Sequence, residues 1–133
     1  MEILVRNAGA KKVEALFDGT TVMTDQTPKD GGEGSAPTPF DLFLTSLATC
    51  SGYYVYDFCQ AREIPIDGVT VHMKAERDEA KKMLDRITID IRLPAGFPEK
   101  YEKAVVRAAN LCSVKKHLMD PPAIEVFASR AEG

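Results

Sequence analysis

"TPFDLFLTSLATCSGYYVYDFCQAR", residues 38 to 62, decides how the rest of the chain is read. Thr38 is followed by Pro39 and, three residues on, by Asp41. That is the form of a helix start, with Thr38 as N-cap, Pro39 in the first helical position and Asp41 near the positive end of the dipole. The helix is expected to run to about Arg62. Phe43, Leu47, Cys50, Tyr54 and Phe58 recur at spacings of four, three, four and four and so share one face. Ala48, Val55 and Cys59 widen that face. A helix this apolar is expected to be a central, mostly buried element.

Short β-type segments precede it: "EILVRN" at 2 to 7, "KVEALFD" at 12 to 18 and "TTVMTD" at 20 to 25, with "AGAK" and "DGT" as turns. Together they predict a three-stranded meander. The stretch "PKDGGEGSAPTP", 28 to 39, is a loop by its Pro, Gly and Ser content, and it lacks the Lys-Ser or Lys-Thr pair of a phosphate-binding loop. Beyond the helix, the segments from Val69 and Ile87 alternate, with Val69, Val71, Met73 and Ala75 on one face and Ile87, Ile89, Ile91 and Leu93 on one face. They predict two antiparallel strands with one buried side, and His72 falls on the polar side beside Thr70 and Lys74. Pro98 opens a second helix in which Tyr101, Val105, Ala108 and Cys112 form a stripe. "CSVKKHLMD" adds a further helical turn or two, and "AIEVFA", 123 to 128, reads as a closing strand. The order βββ-α-ββ-α(α)-β makes residues 1 to 133 a single α+β domain, an antiparallel sheet packed on a central buried helix.

Composition limits the function. A chain of 133 residues is long enough to bury a core without staples. Seventeen Lys and Arg against twenty Asp and Glu leave a formal charge of −3 with both signs scattered, which argues against a nucleic-acid partner. No basic-then-apolar leader and no apolar run of about eighteen residues is present, so neither export nor a membrane is expected and the cytoplasm is the default. In that compartment thiols stay reduced, so three cysteines read as free, metal-bound or reactive rather than as a structural framework.

A free cysteine most often packs as a small hydrophobe, and Cys59 fits that reading. It lies nine residues past Cys50, on the opposite side of the helix, so the two cannot pair within it. Cys50 and Cys112 differ because each falls on the stripe of a different helix, and two packed stripes can bring two sulfurs into bonding reach. Such a pair supports one chemistry: a thiolate attacks an electrophile such as a peroxide, becomes a sulfenic acid and condenses with its neighbour to a disulfide, which another thiol then reduces. A metal site built from Cys50, Cys112 and His117 is the weaker reading, since Cys112 and His117 are five apart and no fourth ligand is evident. Neither a metal nor a cofactor is expected.

"TPFDLFLTSLATCSGYYV" followed after a hairpin by "AANLCSVKKHL" resembles the OsmC/Ohr family, whose members carry a helix with a small-small-Cys signature and a second Cys leading into a Pro/Ser-Val-x-Lys type segment. The resemblance covers nearly the whole chain. It implies an OsmC-like fold in an intertwined homodimer, a role in stress response and thiol-dependent reduction of organic hydroperoxides. Cys50 is then the attacking thiol and Cys112 the resolving one, with electrons from a dithiol, a dihydrolipoyl group in some members. Where the characterised peroxidases carry a glutamate ten residues before the first cysteine, this chain has Phe40, with Asp41 beside it, and no motif aligns Arg6 with their N-terminal arginine. Lys115, Lys116 and Arg6 are the candidate cations for activating a thiol. If Ser113 opens a new helix, Cys112 stands at its start near Lys115 and Lys116, and the two cysteine roles are open to exchange. The alternative to catalysis is a dimeric module of this fold that binds a small apolar ligand or partner, with Phe40, Tyr53, Tyr54 and Tyr56 lining a pocket or interface. A wide apolar stripe on the long helix independently points to a homodimer.

Overall fold

A computed structural model of the chain describes residues 1 to 132. It contains strands β1 (Leu4–Asn7), β2 (Val13–Phe17) and β3 (Thr20–Thr24), helix α1 (Pro39–Ala61), strands β4 (Thr70–Asp78) and β5 (Met83–Arg92), and helices α2 (Glu102–Ala109) and α3 (Ser113–Met119). This is a mixed α+β architecture with antiparallel pairing throughout. The chain gathers into two compact units whose boundary, between Ser46 and Leu47, falls inside α1.

In the first unit, β1, β2 and β3 form the expected meander. Phe17 pairs with Thr20 across a two-residue turn, Asp18 and Gly19, both with positive φ, the conformation that matches the strands' right-handed twist. The loop after β3 is organised by Asp25, whose side chain is 1% exposed. One carboxylate oxygen accepts from the Gln26 N–H at 2.8 Å, and the other accepts from the Glu33 N–H at 3.2 Å, the Ser35 N–H at 3.1 Å and the Ser35 hydroxyl at 2.6 Å. The Ser35 hydroxyl, then its N–H, outweigh burial, and with the Gln26 and Glu33 N–H groups they lower the Asp25 pKa from 3.8 to about 2. Gly32 closes against this loop so tightly that a Cβ would lie 2.0 Å from the Gln26 carbonyl oxygen. Thr38 and Asp41 cap α1 reciprocally, the Thr38 N–H donating to Asp41 Oδ2 at 3.0 Å and the Asp41 N–H to Thr38 Oγ1 at 3.1 Å.

In the second unit, Val55, Phe58 and Cys59 of α1 form a core with Ile64, Val69, Phe97, Val105, Ala108 and Ala109, against which Val71, Ile91 and Leu93 pack. The β4–β5 hairpin sets Val71 opposite Ile91, Met73 opposite Ile89 and Ala75 opposite Ile87, as the alternation predicts. His72 bonds Thr70 on the exposed side at 3.0 Å. No helix among the described residues is long and apolar enough to cross a membrane.

Three expectations change. The antiparallel sheet is two sheets, one of three strands in the first unit and one of two in the second. Core contact on α1 runs through Leu47, Ser51, Gly52, Val55, Phe58 and Cys59, while Phe43, Cys50 and Tyr54 are only half-buried. A helix apolar around most of its girth leaves its rotational phase poorly fixed by periodicity, and the small Ser51 and Gly52 lie on its buried side. Finally, the closing strand over 123 to 128 does not form: residues 121 to 132 are neither helix nor strand, and Ile124, Val126 and Phe127 are 82%, 93% and 85% exposed. The alternating pattern supplies a strand's side chains but not the neighbouring backbone that a strand requires.

Candidate functional site

Helix α2 stops at Ala109, so Cys112 lies beyond its stripe. It takes a non-helical conformation, φ −47° and ψ 118°, and serves as N-cap of α3. Its sulfur occupies the place of the usual Ser or Thr oxygen, accepting the Lys115 N–H at 3.4 Å. Its carbonyl accepts the Lys116 N–H at 3.1 Å. The Cys112 side chain is fully buried, 4.0 Å from the Leu47 carbonyl oxygen of α1. One helical turn of α1 therefore meets the first turn of α3.

Cys50 lies at this meeting point. Its sulfur is 3.8 Å from the Ser113 hydroxyl, and the Cys112 thiol is among the groups that favour its ionised form. Burial acts to raise the Cys50 pKa. Against it work the Val114 backbone N–H, the Cys112 thiol, and the Ser113 hydroxyl and N–H, and the balance falls below the ordinary thiol value. The thiol with a lowered pKa is thus the half-exposed one.

Cys59, in contrast, is enclosed in the core, where burial pushes its thiol pKa up despite the nearby Arg62. The expected cations are engaged elsewhere: Arg6 pairs with Glu14 at 3.1 Å on the meander, and the Lys115 ammonium is bonded to Asn110 Oδ1. Lys116 is exposed. Hydrogen-bond donors of the α3 turn take the part expected of a cation. From the sequence, Ser113 and Val114 stand out as part of a motif and a possible helix start, and nothing there marks them as donors to a thiol. Phe40, 54% exposed, stacks on Phe43 with ring centroids 5.5 Å apart, and Asp41 is occupied in the cap. His117 bonds the Ser113 carbonyl oxygen at 2.6 Å, and no group of three His, Cys, Asp or Glu able to hold a metal occurs among the described residues.

Beside the two sulfurs opens a groove of about 680 Å³. Leu47 and Ser51 of α1 form one wall, Ile87 and Ile89 of β5 and Leu118 of α3 supply apolar surface, and Arg86, Asn110 and Lys115 add polar groups. Neither sulfur lines it, yet Leu47 and Lys115, which do, have backbone atoms against the Cys112 sulfur.

The family described as OsmC-like protein matches residues 32 to 127. A Psychrobacter arcticus protein named for osmotic stress induction and the detoxification response is 26% identical, with a TM-score of 0.70 over 86% of this chain and 85% of that one. An OsmC-like protein from Mycoplasma pneumoniae, 17% identical, superposes with a TM-score of 0.69 over 90% of this chain and 87% of its own. A Legionella pneumophila organic hydroperoxide resistance protein, OsmC, is 20% identical, with a TM-score of 0.55 and 89% of each chain covered. No curated protein sequence matches.

Proposed function

Because this chain belongs to the OsmC-like protein family, matched over residues 32 to 127, we propose that it reduces organic hydroperoxides with Cys50 as attacking thiol and Cys112 as resolving thiol. The observation that supports this reading is a half-exposed Cys50 whose thiolate is favoured by α3-turn donors and by the second thiol, that of Cys112. The Cys50 thiolate attacks one oxygen of ROOH. The O–O bond breaks, alkoxide leaves and takes up a proton as ROH, and Cys50 becomes a sulfenic acid. Cys112 sulfur then attacks Cys50 sulfur, expelling water and forming the disulfide. An external dithiol, of the dihydrolipoyl kind or another, is oxidised to its disulfide as it returns both thiols. A reducing compartment such as the cytoplasm supplies that reductant. The active form in this proposal is a homodimer.

Peptide mass spectrometry after cumene hydroperoxide tests the reaction. The native chain is expected to form a Cys50–Cys112 disulfide that a dithiol reverses. Cys112→Ser should hold a sulfenic acid at Cys50, and Cys59→Ala should react like the native chain. Three free thiols remaining under excess hydroperoxide would reject catalysis. The alternative, a module that binds a small apolar ligand without turning it over, draws on the apolar walls of the groove, Ile87, Ile89 and Leu118, and on the absence of sulfur from them. It would then account for that result.

A further inference from the structure

We propose that the Ser113 hydroxyl is a side-chain donor to the Cys50 sulfur that helps to hold it in its reactive form. This deepens the proposed function and rests on Cys50 being the attacking thiol. The geometry is direct: Ser113 Oγ lies 3.8 Å from Cys50 Sγ, within the reach of a bond to sulfur. A thiolate has no proton to give, so in the ionised state the hydroxyl must be the donor and the sulfur the acceptor. Donation to an anion is stronger than donation to a neutral thiol, so the same contact weighs toward ionisation.

The Val114 N–H and the Cys112 thiol also favour the ionised sulfur, while Lys115 and His117 are engaged elsewhere. The Cys112 sulfur receives the Lys115 N–H while its thiol faces Cys50 and the Leu47 carbonyl. The Lys115 ammonium is held by Asn110, and His117 is held by the Ser113 carbonyl. Tyr53 and Tyr54, one turn along α1 from Cys50, are in edge contact with each other at 5.0 Å between centroids. Ser113 is also the first residue of α3, where alanine is tolerated. Replacing it removes one oxygen and leaves the backbone donors of the turn in place.

The test follows the pH profile of Cys50 alkylation by iodoacetamide, read by peptide mass spectrometry in the native chain, Ser113→Ala and Ser113→Thr. Ser113→Ala should move the half-point upward by about one pH unit, about tenfold less thiolate on the acid side, while Ser113→Thr, which restores a hydroxyl, should stay near the native value. A half-point unchanged in Ser113→Ala, with melting also unchanged, overturns the proposal. So does a Ser113→Thr profile that follows alanine while both variants keep the native fold by circular dichroism. Hydroperoxide oxidation measured on the same samples separates the two claims. An upward-shifted Ser113→Ala profile on a chain that hydroperoxide does not oxidise supports the serine and rejects the peroxidase. An unshifted profile on a chain that forms the disulfide rejects the serine and keeps the reaction.

Discussion

Asp25 and Ser113 place polar groups under opposite constraints. Asp25 is enclosed and fully served by four donors, so its function is to fix the loop from Gln26 to Ser35. Because its folded pKa, about 2, lies below its ordinary 3.8, the stability it contributes is complete above pH 3.8 and disappears as pH falls through that window. Acid unfolding followed by circular dichroism should therefore show a component between pH 4 and 2 that Asp25→Asn lacks, with the variant less stable at neutral pH. An identical acid profile in the variant would mean that the loop does not depend on the carboxylate. The cysteines were legible as a candidate pair because sulfur chemistry announces itself by residue type. Ser113 and the Val114 N–H were not, since a hydroxyl and a backbone amide carry no chemical signature until a neighbouring helix delivers a sulfur to them.

Elements whose determinants are local were read correctly, and those that depend on distant contacts were not. The start of α1 is written in four consecutive residues, Thr38 to Asp41, and forms as written. Thr38→Ala removes the hydroxyl half of this cap and should lower stability by about 1 kcal/mol, measured by urea unfolding. No loss would show that tertiary packing alone positions the helix start. The break between α2 and α3 was visible only as a possibility, because Asn110, Leu111 and Cys112 contain neither Gly nor Pro to enforce it. The rotational phase of α1 and the missing strand at 123 to 128 both turn on what packs alongside, which periodicity does not contain.

At the level of the whole molecule, the exposed C-terminal segment bears on assembly. Ile124, Val126 and Phe127 present apolar side chains to water along a segment that pairs with no strand among the described residues, a combination that favours pairing with another chain. In the proposed homodimer, light scattering should give about twice the 14.6 kDa chain mass at micromolar concentration. Val126→Asp combined with Phe127→Asp should shift the protein toward the single-chain mass. A monomeric native protein would rule out the dimer, and a double variant that stays dimeric would assign the interface to other surfaces.

The donors that favour the Cys50 thiolate also carry an obligation in return. By linkage, whatever free energy the α3 turn gives to ionised sulfur, ionised sulfur gives back to the turn. With the folded pKa depressed below the ordinary thiol value of 9.0, that share of stability is complete above pH 9.0 and is surrendered as pH falls through the folded value. Oxidation withdraws the same share by another route, since a disulfide sulfur bears no negative charge. In the proposed reaction the disulfide would put a covalent link to α1 in place of that share, at the residue that caps the seven-residue α3, so the helix would exchange an electrostatic anchor for a bonded one. Leu118 and Met119 at the far end of α3 border the groove, so the two anchors would hold the same wall by different means.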